Sequence, residues 1–135
     1  MRRNTVLLAI QLLVTLNFLP AIFFKFTAAP LSVALFTAMS NAFHGLVSQP
    51  VFRLGSGMVE TILVVLLLIP GTARLGAALI AVWMVGPILS HIFVLGYGVF
   101  FVSALANFFL SCLYLFLSRK QSNSASFEGS AARVK

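Results

Sequence analysis

Four long apolar runs, separated by short charged or turn-forming segments, dominate the sequence. They cover about residues 5–24, 54–70, 75–95 and 99–117. Each run is close to the length of about 20 residues that an α-helix needs to cross a bilayer. Pro70-Gly71 ends the second run and Gly96-Tyr97-Gly98 separates the last two, because neither sequence favours a continuing helix. The pattern predicts an all-α, polytopic membrane protein in which residues 1–118 form a four-transmembrane-helix bundle.

Two segments differ from these runs. Residues 27–52 connect the first two runs, and within them apolar residues recur at helical spacing from Ser32 to Met39. Because serine often begins a helix, we expect a short helix here, lying on the outer surface of the membrane. Residues 119–135 are rich in Lys, Arg and Ser and contain few large apolar residues. This composition predicts a disordered, basic cytoplasmic tail.

The positive charges predict the orientation of the bundle. If both termini are cytoplasmic (N-in/C-in), seven Lys and Arg residues lie inside and only Lys25 and Arg53 lie outside. Positive charges near the ends of spans are retained on the cytoplasmic side, so this orientation is expected. A cleaved signal peptide is the alternative for the N-terminus. The first run is longer than the apolar part of a signal peptide, however, and Lys25 occupies the expected cleavage region.

The composition agrees with a membrane protein and excludes several classes of site. Of the 135 residues 61% are hydrophobic and only 8% are charged, against roughly 45–50% and about 25% in soluble domains. The single cysteine, Cys112, excludes a disulfide framework and a CxxC pair, and we expect it to act as a small apolar residue. We find no metal-ligand cluster, phosphate-binding loop or nucleophile motif, and so predict no catalytic and no metal-ligating residue. The net charge of +7 is explained by orientation and by membrane lipids as partners rather than by nucleic acid.

Three ionisable residues from three spans are predicted to lie at one depth of the membrane. Glu60 lies about 10 Å along its helix from the outer Arg53, and His91 lies about 25 Å from the cytoplasmic Arg74. Lys25 ends the first span and can reach the same level. A charge inside the membrane is a candidate functional group, so Lys25, Glu60 and His91 form our candidate ligand-binding site. The alternative is an ion pair that only fixes the helix register, with a histidine that reaches the headgroups.

Helical spacing indicates which side chains face the bundle interior. One stripe is predicted on each of three spans: Gln11, Thr15, Phe18, Ile22 and Lys25; Ala77, Ala81, Met84, Ile88 and His91; and Ser103, Asn107, Ser111, Tyr114 and Ser118. Pro87 removes a backbone donor, so we expect a kink below His91 and a cavity that opens outward. Asn107 is a candidate lining residue. His44 and Arg53, in or beside the outer loop, are two more that could fold over the mouth, although we expect both to be solvated. A haem would require two histidines facing each other across the bundle, and His44 lies in a loop.

Several short motifs resemble the DoxX-like family of small four-helix membrane proteins. They are the Lys25 that closes the first span, Pro30-Leu31-Ser32-Val33-Ala34-Leu35-Phe36 in the loop, Gly57-Met58-Val59-Glu60 in the second span, and Gly86-Pro87-Ile88-Leu89-Ser90-His91-Ile92-Phe93-Val94-Leu95-Gly96 in the third. The last is similar to the family's Gly-Ala-x-x-x-His-Leu-x-x-Leu-Gly. The resemblance covers the chain from the first span to the end of the fourth.

The resemblance implies a multi-pass protein of the bacterial cytoplasmic membrane. It implies an accessory subunit of a quinone- or thiol-linked redox system, with a quinone or a redox protein as partner. In that case Lys25 or His91 would donate to a ligand carbonyl and Glu60 would hold the proton balance. The alternative is a scaffold or assembly factor for other membrane proteins, with no ligand chemistry. Because the chain has no redox centre of its own, we do not expect it to be a complete enzyme alone. The substrate and the oligomeric state stay open.

Overall fold

Five α-helices and one π-helical turn form the part of the chain that the structure, a computed structural model, describes. That part is residues 2–132, with side chains for residues 5–119. In chain order the elements are α1 (Arg2–Phe26), α2 (Pro30–Ala42), α3 (Gln49–Leu68), α4 (Ala73–Ser90), the π-helical turn (His91–Leu95) and α5 (Val99–Ala132).

Four stretches are long and apolar enough to cross a membrane: Thr5–Phe26, Gln49–Leu68, Ala73–Leu95 and Val99–Arg119. They coincide with the four predicted spans, which confirms the all-α, four-helix prediction. The main difference is at the second span, since α3 begins at Gln49 rather than near residue 54. Pro50 explains the early start, because its fixed φ and missing N–H suit the first turn of a helix.

The helix predicted in the long connection is present and is longer than expected. It begins at Pro30 rather than at a Ser32 cap, because proline again fits the first helical position. Ser32 instead lies within the helix, and its side chain is buried, as are those of Met39 and Ser40. Helix α2 packs against α3 and against the π-helical turn. It therefore covers one end of the bundle, which we call the α2 end.

Helix α5 continues beyond the predicted end of the fourth span. Its backbone is helical through Ala132, where the composition predicts a disordered tail from residue 119. A helix that is already formed extends at little cost through the Ala, Arg, Lys and Gln residues of this segment, whereas its Ser, Asn and Gly residues favour a helix less. The side chains from residue 120 and all of residues 133–135 lie outside the described part of the chain.

The interior of the bundle combines a few bulky side chains with small ones. Phe18, Leu67 and Ile80 are almost completely buried. The predicted stripe on α4 faces inward, with Ala77 and Ala81 buried among its neighbours. Small residues let helices approach closely within a membrane. Large apolar side chains such as Val102, which is 64% exposed, lie on the outside of the bundle, as expected for groups that contact lipid.

The orientation is open to a direct labelling test in cells. In a Cys112→Ala background, the predicted N-in/C-in topology places cysteines at Leu46 and Tyr97 outside and one at Gly71 inside. All three residues are exposed in the structure. A membrane-impermeant thiol reagent should therefore label L46C and Y97C on intact cells, and G71C only after permeabilisation. Labelling of G71C on intact cells, with protection of the other two, would show the opposite orientation.

Candidate functional site

A cavity of about 850 Å³ lies at the α2 end of the bundle. All four spans and α2 contribute to its wall, and most of the lining is apolar. The wall contains three of the predicted site residues, Lys25, Glu60 and His91, and the predicted lining residue Asn107. The structure therefore brings four of the six candidates to one cavity. That they bind a ligand there stays a prediction.

Lys25 and Glu60 form a direct ion pair between α1 and α3. The exposed fractions of their side chains are only 12% and 5%, so little water screens the attraction. The Lys25 ammonium also lies 5.7 Å from the centre of the Phe36 ring on α2, a favourable contact between a cation and an aromatic face. Gly57 favours this close approach, since a Cβ there would make a tight contact, 3.3 Å from the Lys25 Cβ.

His91 lines the same cavity but makes its hydrogen bond locally. Its Nδ1 lies 2.8 Å from the carbonyl oxygen of Gly96, and because a carbonyl can only accept, Nδ1 carries the proton. In a neutral imidazole this leaves Nε2 as an acceptor. The role expected from the sequence, in which His91 donates to a ligand carbonyl, therefore requires a protonated ring, and Lys25 is the better donor.

The π-helical turn fixes the position of His91. Gly96 N–H donates to the His91 carbonyl at 2.9 Å, which closes the wide turn, and Gly96 ends it with φ of +77°, a conformation that favours glycine. Helix α4 itself continues through Pro87 to Ser90. The widening of the helix thus falls just after the proline, at His91, and single wide turns of this kind are frequent at functional sites.

An amide and hydroxyl cluster in the cavity wall was not predicted as a unit. Asn17 on α1 donates from Nδ2 to Asn107 Oδ1 at 3.1 Å, and Ser103 donates from its hydroxyl to Asn17 Oδ1 at 2.9 Å. Ser103 and Asn107 lie on the predicted stripe of α5, but Asn17 was missed. The signal for it is a second helical stripe on α1, formed by Ile10, Val14, Asn17, Ala21 and Lys25.

Trp83, a lining residue, has a polar group that is unpaired in the described part of the chain. The indole Nε1 of Trp83 is buried and has no hydrogen-bond partner among the described residues. An indole nitrogen can only donate, and an unpaired buried donor is unfavourable by about 1–3 kcal/mol. Because this nitrogen is covered, a ligand in the cavity would accept its hydrogen bond only after the indole ring moved.

The structure places the other two candidates outside the lining. His44 is exposed in the connection after α2, with a left-handed backbone of φ +52°. Arg53 was expected to be solvated, but it lies on the same face of α3 as Gly57 and Glu60 and is buried. This face packs against α1 at Gly57 and Glu60.

The described part of the chain contains no group of three or more His, Cys, Asp or Glu that could hold a metal ion. Cys112 is a free thiol on the exposed surface of α5. Comparison with protein-family models, with curated proteins and with solved structures gives no match. The resemblance to the DoxX-like family therefore stays a prediction from the sequence motifs.

Proposed function

We propose that the chain binds an amphipathic small molecule in the cavity at the α2 end, as an accessory component of a quinone- or thiol-linked membrane redox system. The observation that carries the proposal is the cavity itself. A volume of about 850 Å³ lies within the range of about 300–1,000 Å³ typical of small-molecule sites, and an apolar wall with a few polar groups is their usual composition.

The polar groups favour a ligand with acceptor atoms on its head. Lys25 has an ammonium group with further donor capacity beside Glu60. The unpaired Trp83 N–H is covered, and it would add a second donor if the indole ring moved. A quinone fits this requirement, because its ring carries carbonyl oxygens and its tail matches an apolar wall. The resemblance to the DoxX-like family, set in a bacterial cytoplasmic membrane, points to the same ligand class.

The second candidate function is a scaffold or assembly factor with no ligand chemistry. The observation that favours it is that Lys25 and Glu60 satisfy each other's charge, so the pair has a structural role without any ligand. In that case lipid chains fill the cavity, and no head group is recognised.

Because Trp83 is the single tryptophan and lines the cavity, its fluorescence reports occupancy directly. Titration of the purified chain in neutral detergent with a short-chain ubiquinone should quench this fluorescence in a saturable way. Ala21 lines the cavity, and Ala21→Phe should fill part of it and weaken binding by about tenfold or more, a change of about 1.4 kcal/mol.

The matched control is Ala34→Phe, which adds the same ring to an exposed position on α2 outside the lining. It should bind the quinone as wild type does. Unsaturable quenching that is equal in all three proteins would reflect partition into the micelle and would leave the scaffold function. His91→Gln then tests the histidine, since glutamine keeps polarity at this position but cannot reproduce a charged imidazole.

A further inference from the structure

Arg53 is a buried cation with no acidic partner among the residues whose side chains are described. Arg53 is only 7% exposed. Its Nε and Nη1 atoms are covered and have no hydrogen-bond partner among the described residues. One helical turn earlier, the side-chain Nε2 of Gln49 is also covered and without a partner. The first two turns of α3 thus hold two donor groups that lack an acceptor.

The sequence offers no carboxylate to neutralise Arg53. Between Thr5 and Arg119 the single acidic residue is Glu60, and its carboxylate is engaged by Lys25. The other acidic residue of the chain, Glu128, lies near the end of α5, about 40 Å along that helix from Val99. An unpaired charge in a dry environment is strongly unfavourable. An external anion would remove this penalty.

The position of Arg53 favours a phosphate over other anions. Helix α3 is a span whose first residue is Gln49, so Arg53 lies in its second turn, near the depth of lipid headgroups. The N-terminal end of a helix attracts anions through its dipole and its free N–H groups. Ser48, at the N-cap, makes no side-chain hydrogen bond to that end. A guanidinium, an amide and free backbone N–H groups are the donors that a phosphate accepts from.

We propose that the first two turns of α3 form a site for a phosphate group, held by Arg53 and Gln49, and that the headgroup of an anionic phospholipid supplies it. The site is separate from the cavity, since neither residue lines it. The connection at residues 43–48, which directly precedes Gln49, is exposed, and its displacement would open the covered donors to a headgroup.

The test measures the melting temperature of the full chain in neutral detergent. Phosphatidylglycerol is compared with diacylglycerol carrying the same acyl chains, and with inorganic phosphate. Phosphatidylglycerol should raise the melting temperature of wild type by about 5–10 °C, and diacylglycerol should not. If inorganic phosphate alone gives the same rise, the site takes a free phosphate instead of a headgroup.

Arg53→Met keeps the length of the side chain and removes the charge, and it should abolish the rise. Without lipid this variant should be at least as stable as wild type, because the unpaired charge is gone. Arg74→Met removes an exposed charge from the opposite end of the bundle and should keep the full rise. The proposal is overturned if Arg53→Met retains the rise, or if it is less stable than wild type without lipid. If Arg53→Met does not fold, the wild-type protein alone provides the test. The proposal is then overturned if phosphatidylglycerol and diacylglycerol change its melting temperature equally.

Discussion

Glu60→Gln is expected to destabilise the protein by about 3–5 kcal/mol, because it leaves the Lys25 ammonium buried without its counter-charge. Lys25→Met should have an effect of similar size by leaving the Glu60 carboxylate unpaired. Both side chains are largely shielded from water, at 12% and 5% exposure, so an unpaired charge on either is poorly hydrated. The measurement is the free energy of unfolding in mixed micelles, from denaturant titration.

The double variant identifies the cause of these losses. Lys25→Met/Glu60→Gln removes both charges together, and it should be less destabilised than either single variant, because no unpaired charge remains. Arg74→Met serves as the control, since an exposed charge should contribute within about 0.5 kcal/mol. If the losses of the two single variants simply add in the double variant, the residues are not coupled and the pair has no stabilising role.

The spans and the ion pair could be predicted because each has a strong signal along the chain. Charges are so rare that they mark the ends of the runs, and Glu60 is the single carboxylate of its region. Lys25 ends a neighbouring span, and length alone brings the two to one depth. Composition and helix length therefore predict that Lys25 is the partner of Glu60, without any information on packing.

The burial of Arg53 and the position of Asn17 in the cavity wall could not be predicted in the same way. Arg53 stands next to a loop, where an arginine is usually solvated, and its burial depends on how α1 and α2 cover the first turns of α3. Asn17 belongs to one of two adjacent stripes on α1, and the choice between them depends on where α5 packs. Such features depend on the relative placement of helices, which residue spacing within one helix does not specify.

The π-helical turn is a third feature without a sequence signal of its own. Residues His91–Leu95 are apolar apart from the histidine, and their pattern continues that of α4. The turn is closed by the Gly96 N–H and by the bond between His91 and the Gly96 carbonyl. The glycine predicted the end of the span, but the width of the last turn depends on this side-chain contact.

The contact between α3 and α4 predicts the second large effect, at Gly76. A Cβ on this residue would lie 2.5 Å from the Leu67 nitrogen and 2.7 Å from the Leu66 carbonyl carbon. Both atoms belong to the backbone of α3, so no side-chain rotation relieves the overlap. Gly76→Ala should therefore force the two helices apart and destabilise the protein by about 1–3 kcal/mol, as overpacking does elsewhere.

Gly55, which is exposed inside α3 and is not followed by proline, is the matched control for this prediction. A Cβ there meets nothing within 4 Å, so Gly55→Ala should be neutral or stabilising by up to about 1 kcal/mol, because alanine favours a helix over glycine. Thermal unfolding of the two variants in the same detergent measures the difference directly. Both substitutions change the intrinsic helix preference equally. A loss of stability that occurs only in Gly76→Ala is therefore caused by the close packing of α3 against α4. Equal stability of the two variants would mean that α3 and α4 are not packed as closely as the distances at Gly76 require.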